Sequence, residues 1–515
     1  MYTSSPIRCI LSALLLASVP LVPTLGATAT WNGAIGNWSD ATQWSPAVVP
    51  NNNVPAGTTY DVTIPGGTVS LTIAPTVQNL TLSGGTLTGT NSLSVVNTFT
   101  ALGDTTLDGS GALNAANLTL APYSITANGT RSLTSSGSAS WNAADAFPQF
   151  ITFSPTNTYT NNGTFTLNPA EGSSWYGGAF INNGSLTKLG NTSVFLLPGL
   201  TNNGSISVNA GELTLNYGIH RGSFSTAAAG SLTFTGTNTF TAGSVVGGNV
   251  LFADDASFTG STVTGNLTFN YTAAVNAGTK LNTTALNVMG GDVVLNTGGA
   301  SSTAALTIDG ATNAWTGRVD LTSDALIIRP TAATKATVAA TLRNQVDFGK
   351  NRGTGGLYTG EGITSSTLAA AATAGTLSSA VVLADNADLK LTSYRGQTGL
   401  DANSLILTIA HLGDATLDGK VDAFDLNLLA AHWQQQAGAF WSGGDFNNDG
   451  KVDAFDLNVL ASNWQFGATS SLPFSAALAA LPVFGGAAPV PEPATLALVP
   501  GAAAALLLRR RRRPG

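Results

Sequence analysis

Between about residues 30 and 330, apolar and small polar side chains alternate in short runs: Leu80-Thr-Leu, Leu118-Thr-Leu, Ser231-Leu-Thr-Phe, Asn266-Leu-Thr-Phe and Val293-Val-Leu. A period of two puts Leu, Val and Phe on one side and Thr on the other, the pattern of strands with one buried face. Gly, Asn and Ser separate the runs, and helical spacing is nearly absent. Asn-Asn-Gly recurs at Asn161, Asn182 and Asn202, in steps of 21 and 20 residues, each time ahead of a strand-like run. One coil of that length cannot bury its apolar face alone, so neighbouring coils must stack. The pattern predicts a mainly β chain whose body, residues 30–330, is a right-handed parallel β-helix or solenoid; a set of β-sandwiches is the alternative. The repeated asparagines are expected in the left-handed turn conformation.

The Asn-x-Thr/Ser triplets at Asn79, Asn117, Asn162, Asn183, Asn203 and Asn266 look like glycosylation acceptors. A turn asparagine followed by a strand threonine produces the same triplet, and that is the reading adopted. Trp31, Trp38 and Trp44 fall within 14 residues at the start of the body. They are expected to close the first coil, with a sugar-stacking patch as the alternative. The segment resembles the opening of exported planctomycete-type proteins with Gly/Thr-rich β-repeat bodies. From 331 to 410 the alternation loosens. Ala369 to Ala374 suggests a short helix or linker, and the whole stretch reads as a β-rich connecting module.

After residue 411 the pattern changes. Asp414 to Asp425 and Asp445 to Asp456 are two copies of one twelve-residue phrase, 31 residues apart. Each places oxygen side chains at positions 1, 3, 5, 9 and 12 and glycine at position 6, the layout of a calcium loop. The candidate ligands are Asp414, Thr416, Asp418, the carbonyl of Lys420, Asp422 and Asp425, then Asp445, Asn447, Asp449, the carbonyl of Lys451, Asp453 and Asp456. Thr416 offers a hydroxyl where Asn447 offers a carbonyl, so the first loop is expected to hold Ca2+ more weakly. Leu426, Leu429 and Trp433 match Leu457, Leu460 and Trp464 at helical spacing, so each loop feeds an amphipathic helix.

Composition sharpens this picture. Charged residues make up only 9% of the chain, against roughly 25% in an ordinary globular protein. The formal net charge is −7; eight of the 27 acids lie in the two loops, and five of the 20 bases are Arg509 to Arg513. No basic patch precedes that terminal run, which argues against nucleic acid. The single cysteine, Cys9, sits in a stretch that reads as a signal peptide: Arg8, an apolar run from Ile10 to Val22, then Ala27-Thr28-Ala29 as a cleavage site. At the other end, Val490-Pro-Glu-Pro493 precedes the apolar segment Ala494 to Leu508 and the five arginines. Fifteen residues are short for a permanent span.

The loop-helix pair, with Asp rather than Glu at position 12, resembles the type I dockerin from roughly Leu412 to Phe466. The resemblance implies bound calcium and a cohesin-like partner, reached in that family through Ser/Thr-type residues at positions 10 and 11. Here those positions are Ala423-Phe424 and Ala454-Phe455. The tail resembles the PEP-CTERM sorting signal, a C-terminal apolar sorting helix. This implies Pro491, Glu492 and Pro493 as the processing motif of an exosortase-type enzyme, after transient membrane insertion.

The expected order is a signal peptide (1–29), a solenoid with its Trp-rich cap (30–330), a connecting module (331–410), a small α-helical EF-hand-like calcium module (411–467), a linker (468–489) and the sorting tail (490–515). Four glutamates and three histidines offer no metal or triad spacing, and Asp254-Asp255 would point to opposite faces of a strand. No catalytic residue is assigned. The expectation is a non-catalytic, exported cell-surface or matrix protein of structural or adhesive role. The alternative is a secreted polysaccharide-degrading hydrolase or lyase that uses the calcium module for assembly, with extracellular polysaccharide as partner.

Overall fold

A computed structural model describes residues 26–143, 146–350, 357–469 and 471–483. The body is a parallel β-solenoid, as the alternation predicts. Each coil contributes three short strands. In one coil these are Thr158–Asn161, Thr164–Asn168 and Ser173–Tyr176, and in the next Ala179–Asn182, Ser185–Lys188 and Ser193–Leu196. Corresponding strands pair in parallel, with Tyr159 beside Phe180, Phe165 beside Leu186, and Trp175 beside Leu196 in the third column. Every one of these six side chains is buried, so apolar columns run along the axis and stacking supplies the cover that a single coil lacks. Phe234, Phe252 and Phe269 form one such column, with ring centroids 5.2 and 4.8 Å apart.

The repeated Asn-Asn-Gly works differently from expectation. None of Asn161, Asn182 and Asn202 has a positive φ; each ends a strand and is fully buried. Asn161 Nδ2 donates to Asn182 Oδ1 and Asn182 Nδ2 to Asn202 Oδ1, both at 2.8 Å. The second asparagines form a parallel outer ladder: Asn203 donates to Asn183, and Asn183 to Asn162. The triplet asparagines Asn79, Asn117 and Asn266 donate likewise, to Asp61, Asn97 and Asn249. Glycine is needed for space: a Cβ on Gly184 would overlap the carbonyl oxygen of Gly163, and one on Gly204 that of Gly184. Ladder satisfaction rather than turn strain selects the motif.

Trp31, Trp38 and Trp44 are buried at the first coil, packed edge to face at 5.0 and 4.9 Å. Trp38 Nε1 donates to the Pro50 carbonyl and Trp44 Nε1 to that of Trp38. The rings are a cap, and burial removes them as a sugar platform. Ala27, Thr28 and Ala29, expected at a cleavage site, lie in the first strand, Ala27–Trp31, paired with Tyr60, Asp61 and Val62. A cut after Ala29 would remove three of the five residues of that strand.

The described residues of 331–410 close the end of the solenoid and carry the chain into the module that follows. Helix Lys335–Gly349 lays Ala339, Leu342 and Val346 over the open end. Strand Leu405–His411 runs antiparallel to Ala325–Ile328 and to Ser379–Asp385, reversing the ladder direction and ending coil growth. The alanine-rich stretch is helix Ser366–Thr373, N-capped by Ser365. The expected leader up to residue 25 and the expected sorting tail, including Pro491, Glu492 and Pro493, lie outside the described residues. Among the described residues no helix is long and apolar enough to cross a membrane.

Candidate metal centre

Both twelve-residue loops adopt one geometry, bond for bond. Asp414 accepts from the N–H groups of Asp418 and Gly419, and Asp445 from those of Asp449 and Gly450, at 2.9–3.2 Å. At position 12, Asp425 accepts from Ala415, Thr416 and Asp422, and Asp456 from Phe446, Asn447 and Asp453. Each loop is thus closed on itself through its last carboxylate. Gly419 and Gly450 have φ of +84° and +82°, and Leu417 and Asn448 have φ of +61° and +58°, which produces the sharp turn at positions 4 to 6.

Position 9 does two jobs. Asp422 caps helix Ala423–Ala431 and Asp453 caps helix Ala454–Ser462, each in a capping box with the position-12 aspartate. Leu426, Leu429, Leu457 and Leu460 are buried on these helices, as their spacing predicts. Trp433 and Trp464 fall just beyond the helix ends. The two repeats cross-brace: Val421 exchanges backbone hydrogen bonds with Gln465 and Phe466, and Val452 with Gln434 and Gln435.

Burial pushes the Asp414 and Asp425 carboxyls up to about 6 and Asp445 up to about 7, and raises Asp456 as well. Backbone N–H groups oppose that rise. The neighbouring carboxylates add to it, Asp418 acting on Asp414, and Asp456 and Asp449 on Asp445. Among the described residues, none of these four aspartates forms a salt bridge; the one ion pair within the loops is Lys420 with Asp418, at 3.6 Å and exposed. Buried, mutually repelling carboxylates without a cationic side chain are the environment that a hard cation fits.

Among the described residues no three His, Cys, Asp or Glu side chains are gathered into a metal cluster. The reason is visible in the loops, where Asp425 and Asp456 are turned onto backbone N–H donors. Part of each candidate oxygen set is also Thr, Asn or carbonyl, outside those four residue types.

Residues 412–463 match the dockerin type I domain. Type I dockerin domains bind calcium and typically bind cohesin partners, and a dockerin points to an extracellular or cell-surface protein. No curated protein and no solved structure matches the chain.

The dockerin module is not a bead on a tether. Its core, with Val421, Leu426, Leu457 and Leu460, takes in Ala380, Val382 and Ala410 from the outer side of the closing strands of the solenoid. Ser442 Oγ donates to Asp388 and accepts from the N–H of Asp385. His432 Nε2 lies 3.4 Å from Asp388, which raises the imidazole; burial opposes the Asp388 charge, but His432 and Ser442 hold the carboxyl below its ordinary range. Helix Phe474–Ala479, within the stretch expected as a linker, packs on the same core through Ala477.

Sequence reasoning missed this junction because its polar partners, such as Asp388 with Ser442 and Arg343 with Ala439, are 54 and 96 residues apart. Two contacts were findable: helix Lys335–Gly349 carries Ala339, Leu342 and Val346 at helical spacing, and Trp441 sits between the loops, its Nε1 donating to the Asp414 carbonyl at 2.6 Å.

Among the described residues the body offers no comparable group. Asp254 accepts from the N–H of Gly236, Asp255 from Thr272, Glu171 from Ser193, and Glu212 from the Thr233 hydroxyl. Arg131 is buried with its guanidinium spread over the carbonyls of Asp108, Gly111 and Gly89. These charges tie neighbouring coils together.

Proposed function

We propose that the protein is a non-catalytic structural or adhesive component of the cell surface or extracellular matrix. Its solenoid is a charge-poor stalk, and its dockerin module holds two calcium ions through the residues named above. In each loop Asp414 or Asp445 and the position-3, -5, -9 and -12 side chains, with the carbonyl of Lys420 or Lys451, would supply the oxygens. Calcium would supply the positive charge that these carboxylates lack. The observation that carries the reading is the pair of matching loops whose buried aspartates face one another without a salt bridge to Lys or Arg.

Export by an N-terminal leader and processing at Pro491, Glu492 and Pro493 by an exosortase-type enzyme belong to the same proposal. A leader cut ahead of Ala27 leaves the first strand whole. The use of Glu171, Glu212, Asp254 and Asp255 to tie one coil to the next supports the structural role over polysaccharide cleavage.

Calorimetry on the secreted protein is expected to give two calcium ions per chain. Absence of heat, with melting unchanged by chelator, would remove the calcium reading. Reproducible cleavage on a polysaccharide panel, lost on mutating one clustered aspartate, would replace the structural role with the enzymatic one. Recovery of Arg509 to Arg513 from surface protein by mass spectrometry would exclude tail processing.

A further inference from the structure

The second calcium loop is entered under the hand of the solenoid. Arg343, on the closing helix Lys335–Gly349, reaches across the junction, and its Nη2 donates to the carbonyls of Gly438 and Ala439, both at 2.7 Å. Its guanidinium lies 4.1 Å from the centroid of the Phe440 ring. Arg343, Phe440, Trp441, Asp445 and Asn448 line one shallow pocket between the two parts. The first loop has no such visitor and continues directly from strand Leu405–His411.

We propose that Arg343 sets the calcium affinity of the second loop, so that occupancy of this loop and docking of the module on the solenoid are coupled. The inference rests on the calcium reading above. A guanidinium held beside Asp445 does two things. It offsets carboxylate repulsion when the loop is empty, and it repels an arriving divalent cation. Both effects weaken binding relative to an uncharged side chain. Burial works against the Arg343 charge, and Asp445 and Asp385 oppose that loss. The second loop, with the fuller oxygen set, is thereby brought down toward the first, and loosening the junction tightens it. Coupling of this kind is reciprocal: calcium in the second loop weakens the grip of Arg343 on the module.

The test is calorimetry on the full secreted protein, comparing wild type with Arg343→Gln and Arg343→Lys. The glutamine variant is expected to bind calcium about three- to tenfold more tightly at one of its two sites. The lysine variant keeps the charge and is expected to stay within about twofold of wild type. In an Asp445→Asn/Asp456→Asn background, the glutamine substitution should change nothing, which assigns the effect to the second loop. Circular dichroism and tryptophan fluorescence matching wild type establish that the variants are folded. If either substitution misfolds the junction, raising salt on the wild-type protein should tighten one site relative to the other, and equal responses would overturn the proposal. Unchanged or weakened affinity in a folded glutamine variant overturns it while leaving the calcium reading intact. No calcium uptake by wild type overturns both.

Discussion

Gly184 and Gly419 are indispensable for opposite reasons. At Gly184 the backbone is ordinary, but the neighbouring coil approaches so closely that no Cβ fits beneath the Gly163 carbonyl. At Gly419 the space is open, yet φ of +84° excludes other residues. The contrast extends to the two regions. The solenoid ties its polar groups to the coil next to them, mostly through neutral asparagine ladders and backbone. The dockerin module gathers like charges and leaves their balance to something outside the chain. A repeat array of the first kind is complete in itself, whereas a charge cluster of the second kind makes stability conditional on a ligand.

Removing calcium is the largest expected break in that comparison. At a hundredfold excess over Kd each site contributes about 2.7 kcal/mol, so two sites give the module roughly 5 kcal/mol. Chelator is expected to lower the melting transition reported by tryptophan near the junction, where Trp441 and Trp464 sit, and to leave the β-sheet circular dichroism of the stalk in place. Simultaneous loss of both signals would mean that the two regions unfold as one.

Gly184→Val comes next, at about 3 kcal/mol or more, because the new side chain meets backbone on the adjacent coil. The expected result is a lower thermal midpoint for the sheet signal with calcium stoichiometry unchanged. Gly419→Ala is the matched probe, with strain of about 1 to 2 kcal/mol that appears as weaker calcium binding and spares the stalk.

How much of this was readable beforehand follows the same divide. Strand alternation and coil spacing carry the stalk, since Leu80, Leu118 and Leu186 must all face inward once coils stack. The dockerin module was legible because two copies of one twelve-residue phrase announce it within a short stretch. The asparagine ladders were not, because a turn asparagine and a stacked asparagine look alike in one dimension. Only the neighbouring coil distinguishes them. The junction was hidden for a related reason: Arg343 meets Ala439 across 96 residues, and no local pattern encodes that contact.

Acid should act on the two regions with opposite sign. His220 stands where Asn202 stands one coil earlier, its Nε2 3.0 Å from Asn238 Oδ1 and its ring among Phe224, Phe234 and Phe240. Burial lowers the imidazole to about 4, from 6.5 in the unfolded chain. A depressed value favours the neutral folded form, so its stabilisation is complete above about 6.5 and drains away as pH falls toward 4, by roughly 3 kcal/mol in all. In the calcium-free module the aspartate values are raised, to about 6 for Asp414 and Asp425 and about 7 for Asp445. That region binds more protons folded than unfolded, so it gains stability on acidification and loses it as pH rises from about 4 through 7. Melting curves in chelator between pH 4 and 7 should show the two transitions moving toward each other. His220→Asn, which restores the ladder residue, should flatten the stalk slope alone.

The smallest expected effect on stability is at Phe424 and Phe455. They hold the same place in the two repeats, one residue inside each loop helix, and are 70% and 72% exposed. Truncating either to alanine removes little buried surface, so each change should cost less than about 0.5 kcal/mol and leave calcium binding as it was. Their exposure settles one point that spacing left open, namely that the pair is not part of the module's core. A stability loss above about 1 kcal/mol, read from chemical denaturation, would return them to the core. If stability holds and surface retention of the double variant falls, the aromatic pair is the face by which the rigid stalk, with its calcium-dependent end, meets its partner.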